Sequence, residues 1–242
     1  MKITEKFALK TKNPMTGDIP TLAFLGDSVT QGCFEIYLDS DNKVETVRRT
    51  CAAYHSHIRD AFSLLYPTCS INIVNAGISG DSAIGGYKRL QKDVLKFNPD
   101  LVVVSFGLND SCRQSEDSLE KYKEALKNIF RDIKESGSEA IFMTANMMNT
   151  YVSHKLKEPI FIKIAKMCME CENSGRLKMF FDAGCNVAKE MGIPVCDVYS
   201  KWRRMKERGV DVTTLLANDI NHPNEEMHKL FAFSLLETIF SN

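Results

Sequence analysis

Thr21-Leu22-Ala23-Phe24-Leu25-Gly26-Asp27-Ser28 is a short apolar run that ends on a glycine, an aspartate and a serine. It reads as a β-strand over Thr21–Gly26 followed by a tight turn. Four further runs rich in Val, Ile, Leu, Phe or Ala lie at Ser70–Asn75, Asp100–Phe106, Glu139–Thr144 and roughly Pro194–Val198, each followed by polar or glycine-containing residues. Between and after them, apolar periodicity predicts helices at about Thr50–Leu65, Ser82–Lys96, Ser118–Ser136, Leu177–Met191 and Glu225–Phe240. Asn98-Pro99-Asp100 and Gly192-Ile193-Pro194 punctuate two of these helices, because proline disfavours helix before it and glycine accepts the left-handed cap. Strands alternating with helices predict an α/β fold, a parallel sheet covered by helices on both faces.

The chain has 242 residues, which suits one domain spanning 1–242. Its 44% hydrophobic and 26% charged residues are ordinary for a globule. Lys+Arg and Asp+Glu both number 31, so no global field draws in nucleic acid or an anionic membrane. The first twenty residues scatter Lys and Glu through any would-be signal segment, and no later stretch is apolar enough to span a bilayer, so a cytoplasmic location is expected. Eight cysteines in such a chain are expected to be reduced thiols. Gln31–Arg49 and Asn146–Gly175 read as long connections after strands, serving either as substrate-site walls or as surface elaboration.

Four short motifs follow strand ends or precede the last helix. Gly26-Asp27-Ser28 places a serine at the carboxyl edge of the sheet, where open α/β folds put their ligands, although the tripeptide is also a common turn. Asn75-Ala76-Gly77-Ile78-Ser79-Gly80-Asp81-Ser82 is a glycine-containing turn that either offers backbone N–H groups to an anion or simply caps the next helix. Gly107-Leu108-Asn109-Asp110 puts an amide where it either donates to a developing oxyanion or caps a helix. Asn218-Asp219-Ile220-Asn221-His222-Pro223 sets a carboxylate three residues before a histidine, so that one turn presents an acid and a base, or is a polar loop before the last helix. In a sheet of order 2-1-3-4-5, the second and third strands flank the first, and Ser28 lies between Gly77 and Asn109.

Together, in this order, the four segments resemble the conserved blocks of the SGNH (GDSL-like) hydrolases, with Val29 in place of the leucine that ends the first block. The resemblance runs from the first strand to the last helix. It implies a flavodoxin-like three-layer α/β/α sandwich with a five-stranded parallel sheet and ester hydrolysis without metal or cofactor. It further implies Ser28 as nucleophile, His222 as base, Asp219 as its orienter, and Ser28, Gly77 and Asn109 in the oxyanion hole. The chain lacks the Gly-x-Ser-x-Gly of the α/β-hydrolase elbow. The expected substrates are small-molecule or carbohydrate esters, short-chain or O-acetyl foremost, with lysophospholipid or thioester as the alternative. The rival of another class is a non-catalytic flavodoxin-like binding module.

Other features carry no assignment. Cys168-Met169-Glu170-Cys171 has redox or zinc-ligand spacing without a second ligand pair. His55 and His57, two apart in a helix, suit capping or surface roles, and Trp202-Arg203-Arg204 reads as an exposed helix edge.

Overall fold

The computed structural model describes residues 1–113 and 115–242. Its first half runs α1 (Lys2–Lys12), β1 (Thr21–Gly26), α2 (Ser28–Gln31), β2 (Cys33–Leu38), β3 (Val44–Arg48), α3 (Tyr54–Leu65), β4 (Asn72–Gly77), α4 (Ala83–Asp93) and β5 (Leu101–Ser105). The second half runs α5 (Leu108–Cys112), α6 (Ser118–Glu135), β6 (Glu139–Met143), α7 (Pro159–Asn173), α8 (Arg176–Glu190), β7 (Val195–Cys196), α9 (Val198–Glu207) and α10 (Glu225–Ser241).

Five strands form one parallel sheet in the order β4-β1-β5-β6-β7, which is the predicted 2-1-3-4-5. Side chains alternate faces along each central strand, and both faces are covered. Leu22, Phe24, Leu101, Val103 and Ile141 pack on one side with Tyr54, Ile58 and Phe62 of α3 and Phe231 and Leu235 of α10. Ala23, Leu25, Val102, Val104 and Phe142 pack on the other with Leu90 of α4, Leu126, Ile129 and Phe130 of α6, and Phe180 and Val187 of α8. Each such large apolar side chain withdrawn from water contributes about 1.5–3 kcal/mol before conformational entropy is set against it. Trp202 of α9, expected at an exposed edge, is fully buried in the first of these cores, because its indole lies on the inward side of an amphipathic helix.

Both long connections contain structure. Residues within Gln31–Arg49 form an antiparallel hairpin, β2 with β3, apart from the main sheet. Cys33, Phe34, Ile36 and Leu38 are its inward residues, and Asn42 turns the corner with φ 58°. Asn146–Gly175 contains α7, which starts with Pro159 in its first turn. The N-terminal helix α1 lies across the amino ends of the strands. Phe7 stacks on Phe62 at 4.3 Å, and the Glu139 carboxylate accepts from the N–H groups of Lys2 and Ile3 at 2.9 Å each.

What matters for the site is the level at which three strands end. Gly26 is opposite Gly77 on one side and Ser105 on the other, so the turns after β1, β4 and β5 emerge side by side.

Candidate active site

Ser28 is the first residue of α2, directly after β1, and is buried. Asp27 is the N-cap, its Oδ1 accepting from Val29 N–H at 3.0 Å. The Asp27 carboxyl is pushed up to about 7, chiefly by burial, with the charges of Asp110 and Asp81 adding to the shift. No protein acceptor takes the Ser28 N–H among the described residues.

His222 comes to Ser28 from the far end of the chain. The Ser28 Oγ lies 3.0 Å from His222 Nε2, and His222 Nδ1 lies 2.8 Å from the main-chain carbonyl of Phe34 in β2. A carbonyl oxygen only accepts, so Nδ1 carries the proton. Nε2 is left with a lone pair, and the serine hydroxyl donates to it. Burial pulls the His222 imidazole down to about 4, against the opposite pulls of the Phe34 carbonyl and the Glu35 charge. At neutral pH the ring is therefore an unprotonated base in the tautomer that a serine nucleophile needs.

The turn carrying His222 is held by Asn218 rather than by Asp219. Asn218 Oδ1 accepts from the N–H groups of Ile220, Asn221 and His222 at 2.9–3.0 Å. Asn146 Nδ2 donates to Asn221 O at 2.9 Å, and Asn149 N–H to Ile220 O at 2.8 Å. Asp219 occupies the left-handed corner of this turn, φ 56°, and its Oδ1 accepts from Lys155 Nζ at 3.4 Å, while among the described residues the imidazole nitrogens meet only Phe34 O and Ser28 Oγ. The expected pairing of Asp219 with His222 is thus replaced by the contact with Phe34 O.

The groups expected to donate to an oxyanion also lie in part otherwise than expected. Gly77 N–H donates to Asn75 Oδ1 at 2.9 Å, and Gly77 Cα lies so close to α2 that a Cβ would meet Thr30 C at 2.6 Å. Its glycine identity serves close packing. Three residues on, Gly80 has φ 76° with open space where a Cβ would sit, and among the described residues its N–H has no protein acceptor. Gly80 stood in the same quoted block, so its signal was present there. Asn109, on α5, gives one Nδ2 hydrogen to Asp81 O at 2.9 Å, which leaves the second hydrogen of the amide available.

Beneath these groups Arg89 of α4 ties the strand ends together. It donates to Gly26 O at 2.9 Å, to Ala76 O at 2.6 Å and to Asp81 Oδ2 at 2.7 Å. Asp110 Oδ1 accepts from Ala83 N–H at 3.0 Å, and burial raises its carboxyl to about 6. Gln31 Oε1 accepts from Ser79 N–H at 2.8 Å and so joins α2 to the Gly80 turn. No sequence signal marked Arg89, Gln31 or Phe34. Of the features left unassigned, His55 is buried with Nε2 accepting from Asn75 Nδ2 at 3.0 Å, and Cys168 and Cys171 are buried free thiols.

A buried serine donating to a histidine of fixed tautomer, beside unshared N–H groups at the carboxyl edge of a parallel sheet, is an arrangement capable of nucleophilic acyl transfer. The chain belongs to the GDSL-like lipase/acylhydrolase family, whose sequence profile matches residues 24–230. It is similar to an acetylxylan esterase of Geobacillus stearothermophilus, 27% identical over 131 residues, a stretch that spans 51% of this chain and 58% of that relative. A catalytic mutant of an acetylxylan esterase from the same organism shares the fold at TM-score 0.67 and 19% identity, covering 91% of this chain and 94% of that one. A two-domain esterase active on acetylated mannans matches at TM-score 0.67 and 18% identity, over 99% of this chain and 53% of that one. The lipase/acylhydrolase of Enterococcus faecalis matches at 0.65 and 21% identity, over 91% and 95%. At these identities the structural likeness is one of fold.

Proposed function

We propose that the chain hydrolyses carboxylic esters through an acyl-enzyme on Ser28, with O-acetylated carbohydrate as its leading substrate class. The observation that carries the chemistry is the 3.0 Å contact of Ser28 Oγ with an imidazole whose Nδ1–H is engaged by a carbonyl. Ser28 Oγ attacks the ester carbonyl as Nε2 takes its proton. The resulting oxyanion is met by the Ser28 and Gly80 N–H groups and the second Asn109 Nδ2–H. The imidazolium then protonates the departing alkoxide, and the alcohol leaves. Water attacks the acyl-enzyme with the same base, which releases the acid and restores Ser28.

The acetyl-carbohydrate preference is supported by the acetylxylan esterase similarity. The cytoplasm is the proposed location, which fits eight cysteines that are all free thiols. No helix among the described residues is long and apolar enough to cross a membrane.

The experiment is hydrolysis of acetylated xylo-oligosaccharides and of p-nitrophenyl esters of increasing acyl length, by wild type and by Ser28→Ala. Rates highest for acetyl and lowered by about 10⁴-fold in Ser28→Ala support the proposal. Rates that rise with chain length point instead to lipid-like acyl groups. Equal rates in the two proteins remove Ser28 as nucleophile.

A further inference from the structure

The hairpin formed by β2 and β3 carries an irregularity at the point where it meets the catalytic histidine. Cys33 pairs with Arg48 and Ile36 with Thr46, so Phe34 and Glu35 together face Val47 alone. Such a bulge takes a residue out of the pairing register and re-aims it. Here the Phe34 carbonyl is aimed at His222 Nδ1, 2.8 Å away.

Arg49 spans this junction. Its two terminal nitrogens grip the Glu35 carboxylate at 2.8 and 2.9 Å, and its Nε donates to Glu225 Oε1 at 2.5 Å. Its guanidinium lies over the Phe34 ring, 4.5 Å from the centroid, and its own N–H donates to Gly32 O at 2.9 Å. Glu35 follows Phe34 by one residue, and Glu225 follows His222 by three at the start of α10. One side chain thus holds the segments on both sides of the Phe34–His222 hydrogen bond, and a bidentate fork is the group suited to that task. Arg49 and both glutamates are a third to half exposed. Ion pairs of that kind contribute little to folding, so a clamp on geometry is a more economical account of the network than a brace on stability.

We propose that Arg49 is a positioning residue for the ester-hydrolysis reaction, clamping the β2 bulge to α10 so that the Phe34 carbonyl, in place of the Asp219 carboxylate, fixes the aim and tautomer of His222. The inference rests on the Ser28–His222 reading above.

The test compares wild type, Arg49→Met, Arg49→Lys, Asp219→Asn and Ser28→Ala, with kcat and KM for p-nitrophenyl acetate, melting temperature, and ¹⁵N shifts of the labelled histidine rings. Arg49→Met is expected to lose about 10-fold or more in kcat, with KM within about twofold, and its loss exceeds that of Asp219→Asn. Arg49→Lys, a single charge that can serve only one glutamate at a time, recovers part of the rate. In wild type the ring of His222 shows protonated Nδ1 and unprotonated Nε2, and in Arg49→Met the two tautomers mix. The inference is overturned if Arg49→Met keeps the wild-type kcat and tautomer. It is equally overturned if Asp219→Asn loses more rate than Arg49→Met in proteins that melt alike. Full activity in Ser28→Ala would sink the underlying reading instead, a result distinct from either of these.

Discussion

Acid is the perturbation that separates this histidine from an ordinary one. A free imidazole, with its usual value near 6.5, is only about 3% neutral at pH 5, so a base of that kind keeps about 4% of its pH 7 activity there. Burial brings His222 to about 4, and at pH 5 such a ring is still about 90% neutral. The two cases differ by more than about 20-fold in kcat/KM between pH 7 and pH 5. The assay is kcat/KM for an acetyl ester over pH 4 to 8, with acetate measured by chromatography, because p-nitrophenol loses its colour in acid. Near-constant activity down to pH 5, then a tenfold fall per unit below about 4, is the expected profile. A limb centred near 6.5 in folded protein refutes the reasoning that burial against a neutral carbonyl governs the base. Folding has to be followed alongside. His55 and His228 are also pulled down, to about 4 and about 3, so the unfolded chain takes up their protons first and stability falls as pH drops from about 6.5. Asp27 and Asp110, raised to about 7 and about 6, take up protons in the native state and offset part of that loss.

Three further outcomes follow from particular contacts. In His222→Ala the acid-sensitive proton site is gone, so relative to wild type the variant gains about 2 kcal/mol of stability between pH 7 and pH 5, measured by urea denaturation at both. Asn109→Ala removes a proposed oxyanion donor and lowers kcat by about 100-fold or more with a much smaller change in KM, as steady-state kinetics will read; an unchanged kcat takes the amide out of the oxyanion hole. Gly77→Ala forces a Cβ against the backbone of Thr30 and Gln31, so it lowers the melting temperature and kcat together; a variant that melts and turns over like wild type shows that the close approach is not required.

The legible parts of this chain were those where residue type and role coincide. The span of β1 was read to the residue, because its apolar run is bounded by Pro20 and Asp27 and every position in it is buried. The edge strand β4 begins two residues later than read and extends to Gly77, since its exposed Asn72 and Asn75 blur the apolar pattern. The hairpin β2–β3 had the alternation Phe34-Glu35-Ile36-Tyr37-Leu38 and a polar corner at Asp39–Lys43, yet its length resembled a loop when read only for parallel strands. At the site, Ser28, Asn109 and His222 announce themselves by side-chain chemistry. The Phe34 carbonyl belongs to the backbone, which every residue possesses, so no residue identity singles it out until the fold brings it to His222, whereas Gly80 at least lay in a glycine-containing turn that the sequence marked.

The nucleophile itself is tested most directly by a p-nitrophenyl alkylphosphonate, which transfers its phosphonyl group to an activated serine and releases p-nitrophenol. Peptide mapping by mass spectrometry after inactivation locates the adduct. The account predicts one phosphonyl group on Ser28, loss of activity in step with its formation, and no adduct at that peptide in Ser28→Ala. Inactivation with the label on another residue, or full ester hydrolysis by a protein stoichiometrically labelled at Ser28, contradicts it.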